Sequence, residues 1–215
     1  MNNACYVHFF IYTFNTMYKY EREQILKGKK LIAGCDEAGR GPLAGPIVAA
    51  SCILPLNYKN ELINDSKKMT EKNREIAFEQ IKADAIAFNI QVLDAQQVDI
   101  LNPKHGSRVA MAEAVKNLNP QPDYVLVDFE TIPTNISQEG IKKGDTLSIT
   151  IAAASVLAKV TRDRIMVEYS KEYPEYGFES HKGYGTKKHM EALKNFGVTP
   201  IHRKSYKPIK ELLNK

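Results

Sequence analysis

Apolar residues in this chain fall into short blocks separated by polar, glycine-rich or proline-rich stretches, and the blocks predict an α/β order. Leu31-Ile32-Ala33-Gly34-Cys35 is an apolar run that ends on two acids, and Pro46 to Leu54 is a second run, rich in small and β-branched residues and stopped by Pro55. Runs of this length read as buried strands, and the glycine turn between them predicts a hairpin. Thr70-Glu71-Lys72-Asn73 supplies a helix cap ahead of Ile76, Phe78 and Ile81 at helical spacing. Residues 85–93 alternate as a third strand. Ser107 to Leu118 carry a helical face closed by Pro120 and Pro122, and Tyr124-Val125-Leu126-Val127 leads as a strand into Asp128. Glu130 to Gly144 reads as a loop. Ile149 to Tyr173 predicts a long helix with the small face Ala152-Ala153-Ala154-Ser155, ended by Pro174. A loop from Tyr176 to Thr186, a short helix through Leu193, the basic turn His202-Arg203-Lys204-Ser205 and a final helix complete the chain. Residues 1–17 read as an N-terminal extension, disordered or upstream of a second start, and residues 18–215 as one folded unit.

Composition narrows the class. The chain has 215 residues, 43% of them hydrophobic, which is enough for a real core. Thirty basic residues against 25 acidic ones give a net charge of +5, a mild bias toward a polyanionic partner. Cys5, Cys35 and Cys52 share no CxxC spacing, so free thiols and a reducing cytoplasm are expected. No stretch reaches the roughly 18 apolar residues of a membrane helix. The apolar segment Cys5 to Tyr12 lacks the basic lead-in and cleavage site of a signal peptide.

Four carboxylates change the picture. Asp36 and Glu37 close the first apolar run, Asp128 closes a later one, and Asp145 precedes the small-residue helix. Working groups in open α/β sheets gather beyond the carboxyl ends of strands. Acids gathered there disfavour each other's ionisation unless a cation neutralises them, so a hard divalent metal site is the economical reading. Carboxylate oxygens suit Mg²⁺ or Mn²⁺. Two such ions roughly 3.5–4 Å apart supply what phosphodiester cleavage needs, an activated water and charge relief on the leaving oxygen.

Gly39-Arg40-Gly41-Pro42-Leu43-Ala44 matches the G-x-G-x-x-A dinucleotide pattern, but that pattern requires a helix to open at the loop, whereas Pro46 and a β-branched run follow. The glycines fit instead a close approach of backbone to a sugar-phosphate. Ser66 and Lys67 within Asn64-Asp65-Ser66-Lys67-Lys68, and His202, Arg203 and Ser205 in the basic turn, are candidates for phosphate positioning. Tyr184, between Gly183 and Gly185, suits stacking on a base or sugar. Taken singly, each cluster is also an ordinary exposed turn. His8, His105 and His189 show no metal-ligand spacing and read as structural or solvated.

Gly34-Cys35-Asp36-Glu37-Ala38-Gly39-Arg40-Gly41-Pro42-Leu43-Ala44-Gly45-Pro46 resembles the signature of bacterial type 2 ribonuclease H, the ribonuclease HII family. Asn64 to Lys68, Val125 to Asp128, Lys143-Gly144-Asp145, Ala152 to Asp163, His181 to Thr186 and His202 to Ser205 agree in order, so the resemblance runs from about Tyr18 to the C-terminus. It implies an RNase H-like fold, a mixed five-stranded sheet flanked by helices with a C-terminal helical region. It implies a metal-dependent endoribonuclease H that cuts the RNA strand of RNA–DNA hybrids and single ribonucleotides embedded in duplex DNA, leaving 5′-phosphate and 3′-hydroxyl ends. The implied metal-binding acids are Asp36, Glu37, Asp128 and Asp145, and the implied ribose sensor is Gly39, Arg40, Gly41 and Tyr184. The expected cofactors are two Mn²⁺ or Mg²⁺ ions, the expected partner is nucleic acid and not membrane, and the expected state is a monomer.

Two positions depart from the family pattern. Phe129 replaces a small residue after the third acid and is expected to crowd the loop behind Asp128. Asn102-Pro103-Lys104-His105-Gly106-Ser107 replaces an apolar helix start and is expected to delay that helix. A structure-specific DNA nuclease of the same architecture and a non-catalytic nucleic-acid-binding module are the rival readings.

Overall fold

In the computed structural model, which describes residues 17–63 and 69–214, the first two apolar runs form the predicted hairpin. Strand β1 (Ile32–Ala38) pairs antiparallel with β2 (Ile47–Ile53), and every residue of β2 is buried. The sheet extends on one side to β3 (Ala87–Leu93), antiparallel to β2. On the other side it continues to β4 (Tyr124–Asp128) and β5 (Gln138–Ile141), both parallel. The order β3-β2-β1-β4-β5 is the mixed five-stranded sheet that the resemblance implies.

Side-chain alternation splits the core between the two faces. Val48, Ala50 and Cys52 of β2 pack with helix α2 (Glu71–Asp84) and with the long helix α5 (Ile149–Glu172). Ile47, Ala49 and Ile53 pack on the opposite face with Met111 and Val115 of α4 (Pro103–Lys116) and Val98 of α3 (Ala95–Leu101). The short helices α6 (Phe178–His181), α7 (Lys187–Phe196) and α8 (Lys207–Leu213) gather around Leu43, Met166, Phe178 and Leu193 in a separate cluster. Among the described residues no helix is long and apolar enough to cross a membrane.

The approach of α5 to β1 is the tightest in the fold. A Cβ on Gly34 would lie 2.1 Å from the Thr150 carbonyl carbon and 2.4 Å from the Ile151 amide nitrogen, both backbone atoms that have nowhere to go. The small residues Ala152, Ala153 and Ala154 that follow are all fully buried. The N-terminal helix α1 (Lys19–Leu26) clasps the start of α5. Glu21 Oε1 accepts from Ser148 Oγ at 2.5 Å, Thr150 N at 3.0 Å and Thr150 Oγ1 at 2.8 Å. A carboxylate there meets the unpaired amides and positive dipole end of the helix. Ile149 N donates to the Met17 carbonyl at 2.7 Å, and Met17 is buried in the core, so the folded unit includes a residue that the sequence reading left in the extension. Residues 1–16 lie outside the described residues.

Three other local expectations change. Helix α4 begins at Pro103, not near Ser107: Asn102, at φ 59°, accepts from His105 N at 3.0 Å as the cap, and a proline in the first turn gives up an amide that had no partner to lose. The departure from the family pattern therefore starts the helix early. Helix α3, unassigned from sequence, is set by a capping box in which Asp94 accepts from Gln97 N and Gln97 reaches back to Asp94 N. Strand β5 arises inside the predicted loop, because Gln-Glu-Gly-Ile is too short and polar to signal a strand and forms only by pairing with β4.

Gly34→Ala is expected to cost about 3 kcal/mol or more through backbone overpacking, read as a lower denaturant midpoint; an unchanged midpoint would show that α5 does not bear on β1. Burial raises the Glu21 carboxyl above 4.5. Its contribution to stability is then complete below that value and is lost as pH rises through the raised folded-state value. Glu21→Gln keeps the acceptor oxygen and cannot ionise, so its stability relative to the unsubstituted protein should improve as pH rises above the ordinary carboxylate range. Parallel unfolding titrations measure this, and a pH-independent difference would contradict it.

Candidate active site

The parallel register brings two of the acids together. Cys35 of β1 lies beside Val127 of β4. Asp36 and Asp128, one residue further along each strand, therefore occupy equivalent places on strands about 4.8 Å apart and face α5 on the same side of the sheet. Asp36 is buried, its Oδ1 accepts from Glu37 N at 2.7 Å, and its carboxyl is hydrogen-bonded by Ser155 of α5. Burial first, then the negative charges of Glu37 and Asp128, push the Asp36 carboxyl well above the usual carboxylate range.

Asp128 in turn recruits the third segment. Its Oδ1 accepts from Gly144 N at 2.7 Å, which docks a 3₁₀ turn (Gly144–Thr146) against the end of β4 and buries Asp145 beside it. A Cβ at 144 would lie 2.6 Å from Ile151 Cδ1 and 3.2 Å from Asp128 Oδ1, so any larger residue there has to displace the tip of Ile151 and press on the Asp128 carboxylate. Glu37 alternates to the other side of the strand end, with Oε1 3.3 Å from Arg40 Nη1. Three chain segments thus supply carboxylates to one end of the sheet, with Asp36 and Asp128 side by side, Asp145 next to the amide that Asp128 holds, and Glu37 turned toward the glycine loop. In this conformation no three His, Cys, Asp or Glu side chains among the described residues are grouped so that they could hold a metal ion. The chemistry of the donors nonetheless suits a hard divalent cation: they are carboxylate oxygens, and such a cation would offset the burial and the neighbouring negative charges that raise the Asp36 carboxyl.

The glycine loop beside the acids is held from behind by two buried arginines. Arg162 of α5 donates to the carbonyls of Pro46 (2.9 Å), Ala44 (3.2 Å) and Lys182 (3.0 Å). Arg203 donates to those of Gly39 (2.6 Å), Arg40 (3.1 Å) and Gly45 (2.8 Å) and to the Tyr206 hydroxyl (2.9 Å). Burial, and then the neighbouring charge of Arg203, brings Arg162 down to about 10, still protonated at neutral pH. Gly39 takes φ +99°, and a Cβ there would strike Arg162 Nε at 2.2 Å. The loop carbonyls therefore turn inward onto two cations that meet no carboxylate in these bonds. Tyr184, about half exposed, lays its ring over Gly41, with Cε1 3.6 Å from where a Cβ would stand.

Two residues of the basic turn, His202 and Arg203, are not placed to contact a phosphate. His202 and Arg203 are buried and their polar atoms are engaged within the protein. Ser205 Oγ donates to Asp99 Oδ1 at 2.5 Å, and the amides of Lys204 and Ser205 bind the same carboxylate. The turn is built to carry the loop, because a guanidinium with five donors can gather several carbonyls at once. Ser66 and Lys67 lie outside the described residues. Phe129 is exposed and does not crowd the loop; the cost of losing the family's small residue is a left-handed backbone at φ 65°, which a side chain with a Cβ adopts reluctantly. The sequence reading missed Ser155 and Arg162. An arginine just past the small and apolar run from Ile149 to Ala158 was the available signal.

Comparison with known proteins gives the family and the fold. The ribonuclease HII family pattern matches residues 33–209. A ribonuclease HII of Bacillus cereus is 50% identical over 202 residues, covering 94% of this chain and 79% of that protein. The crystal structure of ribonuclease H2 from Pyrococcus horikoshii OT3 superposes with a TM-score of 0.71 over 85% of this chain and 97% of its own, at 23% identity, and shares the fold. Bst-RNase HIII crystallised in complex with Mn²⁺ superposes with a TM-score of 0.63 over 86% of this chain and 70% of its own, at 15% identity. Identity of one residue in two along nearly the whole chain, on an RNase H-like sheet with acids at its strand ends, means that this chain belongs to the ribonuclease HII family of RNase H endoribonucleases.

Proposed function

We propose that this protein cleaves the RNA strand of RNA–DNA hybrids and cuts on the 5′ side of single ribonucleotides in duplex DNA, leaving 5′-phosphate and 3′-hydroxyl ends. In the cell this would serve ribonucleotide removal from DNA and removal of RNA primers. The observation that carries the reading is the pairing of Asp36 and Asp128 on parallel strands, next to a glycine loop whose carbonyls are turned inward by Arg162 and Arg203. Asp36, Glu37, Asp128 and Asp145 are the residues that would hold two divalent ions; bound there, the ions would lower the pKa of water and neutralise charge on the leaving oxygen. The Mn²⁺ found in the structurally similar Bst-RNase HIII supports that assignment.

The chain's own groups divide the remaining work. Ser155 and the Glu37 amide fix the Asp36 carboxylate, so that it meets the scissile phosphate region in one orientation. The two buried arginines place positive potential under the loop without pairing to the acids, which favours approach of a phosphodiester. Gly41 and Tyr184 form a narrow edge between loop and ring that suits a ribose. A 2′-hydroxyl is the group that separates RNA from DNA at one position.

A labelled DNA duplex with one ribonucleotide should be nicked on the 5′ side of that residue in Mg²⁺ or Mn²⁺ and left whole in chelator, while an all-DNA branched substrate stays intact. Cutting of the branched DNA in place of the ribonucleotide-bearing duplex would overturn the reading. Asp36→Asn should lower the cleavage rate on the order of 1000-fold, the scale seen when a fixed electrostatic group is removed, with hybrid binding retained. Turnover at the unsubstituted rate would remove Asp36 from the site.

A further inference from the structure

Tyr184 stands between Gly183, at φ +83°, and Gly185; its amide donates to the His181 carbonyl at 2.9 Å and its carbonyl accepts from the Thr186 amide at 2.8 Å. Two histidines add side-chain bonds to this turn. His181 Nδ1 accepts from the Gly183 amide at 3.2 Å, and His189 Nδ1 lies 2.9 Å from the Tyr184 carbonyl. Their rings stack with centroids 4.7 Å apart and planes 13° from parallel. Behind them, His202 Nε2 meets His189 Nε2 at 3.0 Å, and His202 Nδ1 faces the Thr199 amide at 3.0 Å. His189 and His202 are both buried.

Proton positions follow from the groups whose roles are fixed. The Thr199 amide only donates, so His202 Nδ1 accepts and the single proton of the neutral ring sits on Nε2. That proton points at His189 Nε2, which accepts and leaves His189 protonated on Nδ1. From there it donates to the Tyr184 carbonyl, which only accepts. His181 accepts at Nδ1, so its Nε2 donates to the Tyr176 carbonyl at 2.8 Å. Each ring is neutral in one tautomer, and every ring nitrogen has its partner. A second proton on His189 would set its Nε2–H against that of His202 across their 3.0 Å contact, and a second proton on His202 would set its Nδ1–H against the Thr199 amide at 3.0 Å. Burial disfavours that proton as well, holding His202 down to about 4 and His189 below its ordinary 6.5.

We propose that His181, His189 and His202 form a tautomer-locked relay that fixes the Tyr184 backbone over Gly41, which makes them positioning residues for recognition of a single ribose. This role presupposes that Tyr184 contacts that ribose. A lone ribonucleotide offers its 2′-hydroxyl in one register only, whereas a continuous hybrid offers one in every register, so a displaced Tyr184 penalises the first substrate more than the second.

The test is a double-mutant cycle read as the ratio of kcat/KM on a lone-ribonucleotide duplex to kcat/KM on a continuous hybrid. Tyr184→Ala and His189→Leu should each lower that ratio about 10-fold, the scale of one hydrogen-bonded contact made in the transition state. The double variant should fall no further than either single one. His202→Gln, which can still donate to His189, should restore most of the ratio that His202→Leu loses. If Tyr184→Ala leaves the ratio unchanged, the ribose-contact reading fails; if Tyr184→Ala lowers it and His189→Leu does not, or the two losses add, the relay fails alone. Should the histidine variants not fold, imidazole ¹⁵N shifts of the unsubstituted protein at neutral pH decide. Protons on His202 Nε2 and His189 Nδ1 support the relay, and the opposite tautomers overturn it.

Discussion

Like charges resist being brought together away from water, and the geometry of this protein is organised around overcoming that resistance at one end of a sheet. Asp36 and Asp128 are neighbours because β1 and β4 run parallel in a register that leaves each acid one step past a buried pair, Cys35 and Val127. That register is held by the hydrogen bonds of the ladder and by α5, which presses onto β1 through Gly34 with no room for even a methyl group. The sheet and helix together impose a separation that the carboxylates alone would not choose, and the raised Asp36 carboxyl is the mark of it.

Positive charge is deployed with the same economy. Arg162 and Arg203 lie behind the glycine loop, and a direct ion pair between either and the strand-end acids would occupy the oxygens that a divalent cation needs. Their bonds go instead to the carbonyls of the loop from Gly39 to Pro46 and its neighbours. One choice has two consequences: the loop acquires a single conformation, and its positive potential stays available to a phosphodiester. The basic turn that holds Arg203 is itself pinned, by Asp99 binding the amides of Lys204 and Ser205 and by His202 packed under the α7 region.

Segments far from the acids in sequence serve the same end. Helix α1 caps α5 through Glu21, so the helix that carries Ser155 and Arg162 starts from a fixed point. Asp128 collects the Gly144 amide and with it the Asp145 turn. At the opposite edge the histidines around Tyr184 tie the C-terminal helices to the loop. Site and scaffold therefore share groups, and a change at Glu21 or His202 acts on the strand-end acids or the loop without touching either.

Much of this was legible in the amino-acid sequence. Strands ending on Asp36 and Asp128, the hairpin between Ile32 and Ile53, the Thr70 cap and the long helix after Ser148 all follow from local apolar pattern and capping chemistry, which act over a few residues. The ordered motifs likewise carried the family. Strand β5 was not legible, because its four residues become a strand only beside β4. Nor was the role of the basic turn: a histidine and an arginine followed by lysine and serine read as a phosphate contact until the fold buries the first two. Charge pattern names the residues that matter, but burial and hydrogen-bond direction, which depend on atoms more than 100 positions away, decide whether Arg203 meets a substrate or the carbonyl of Gly45.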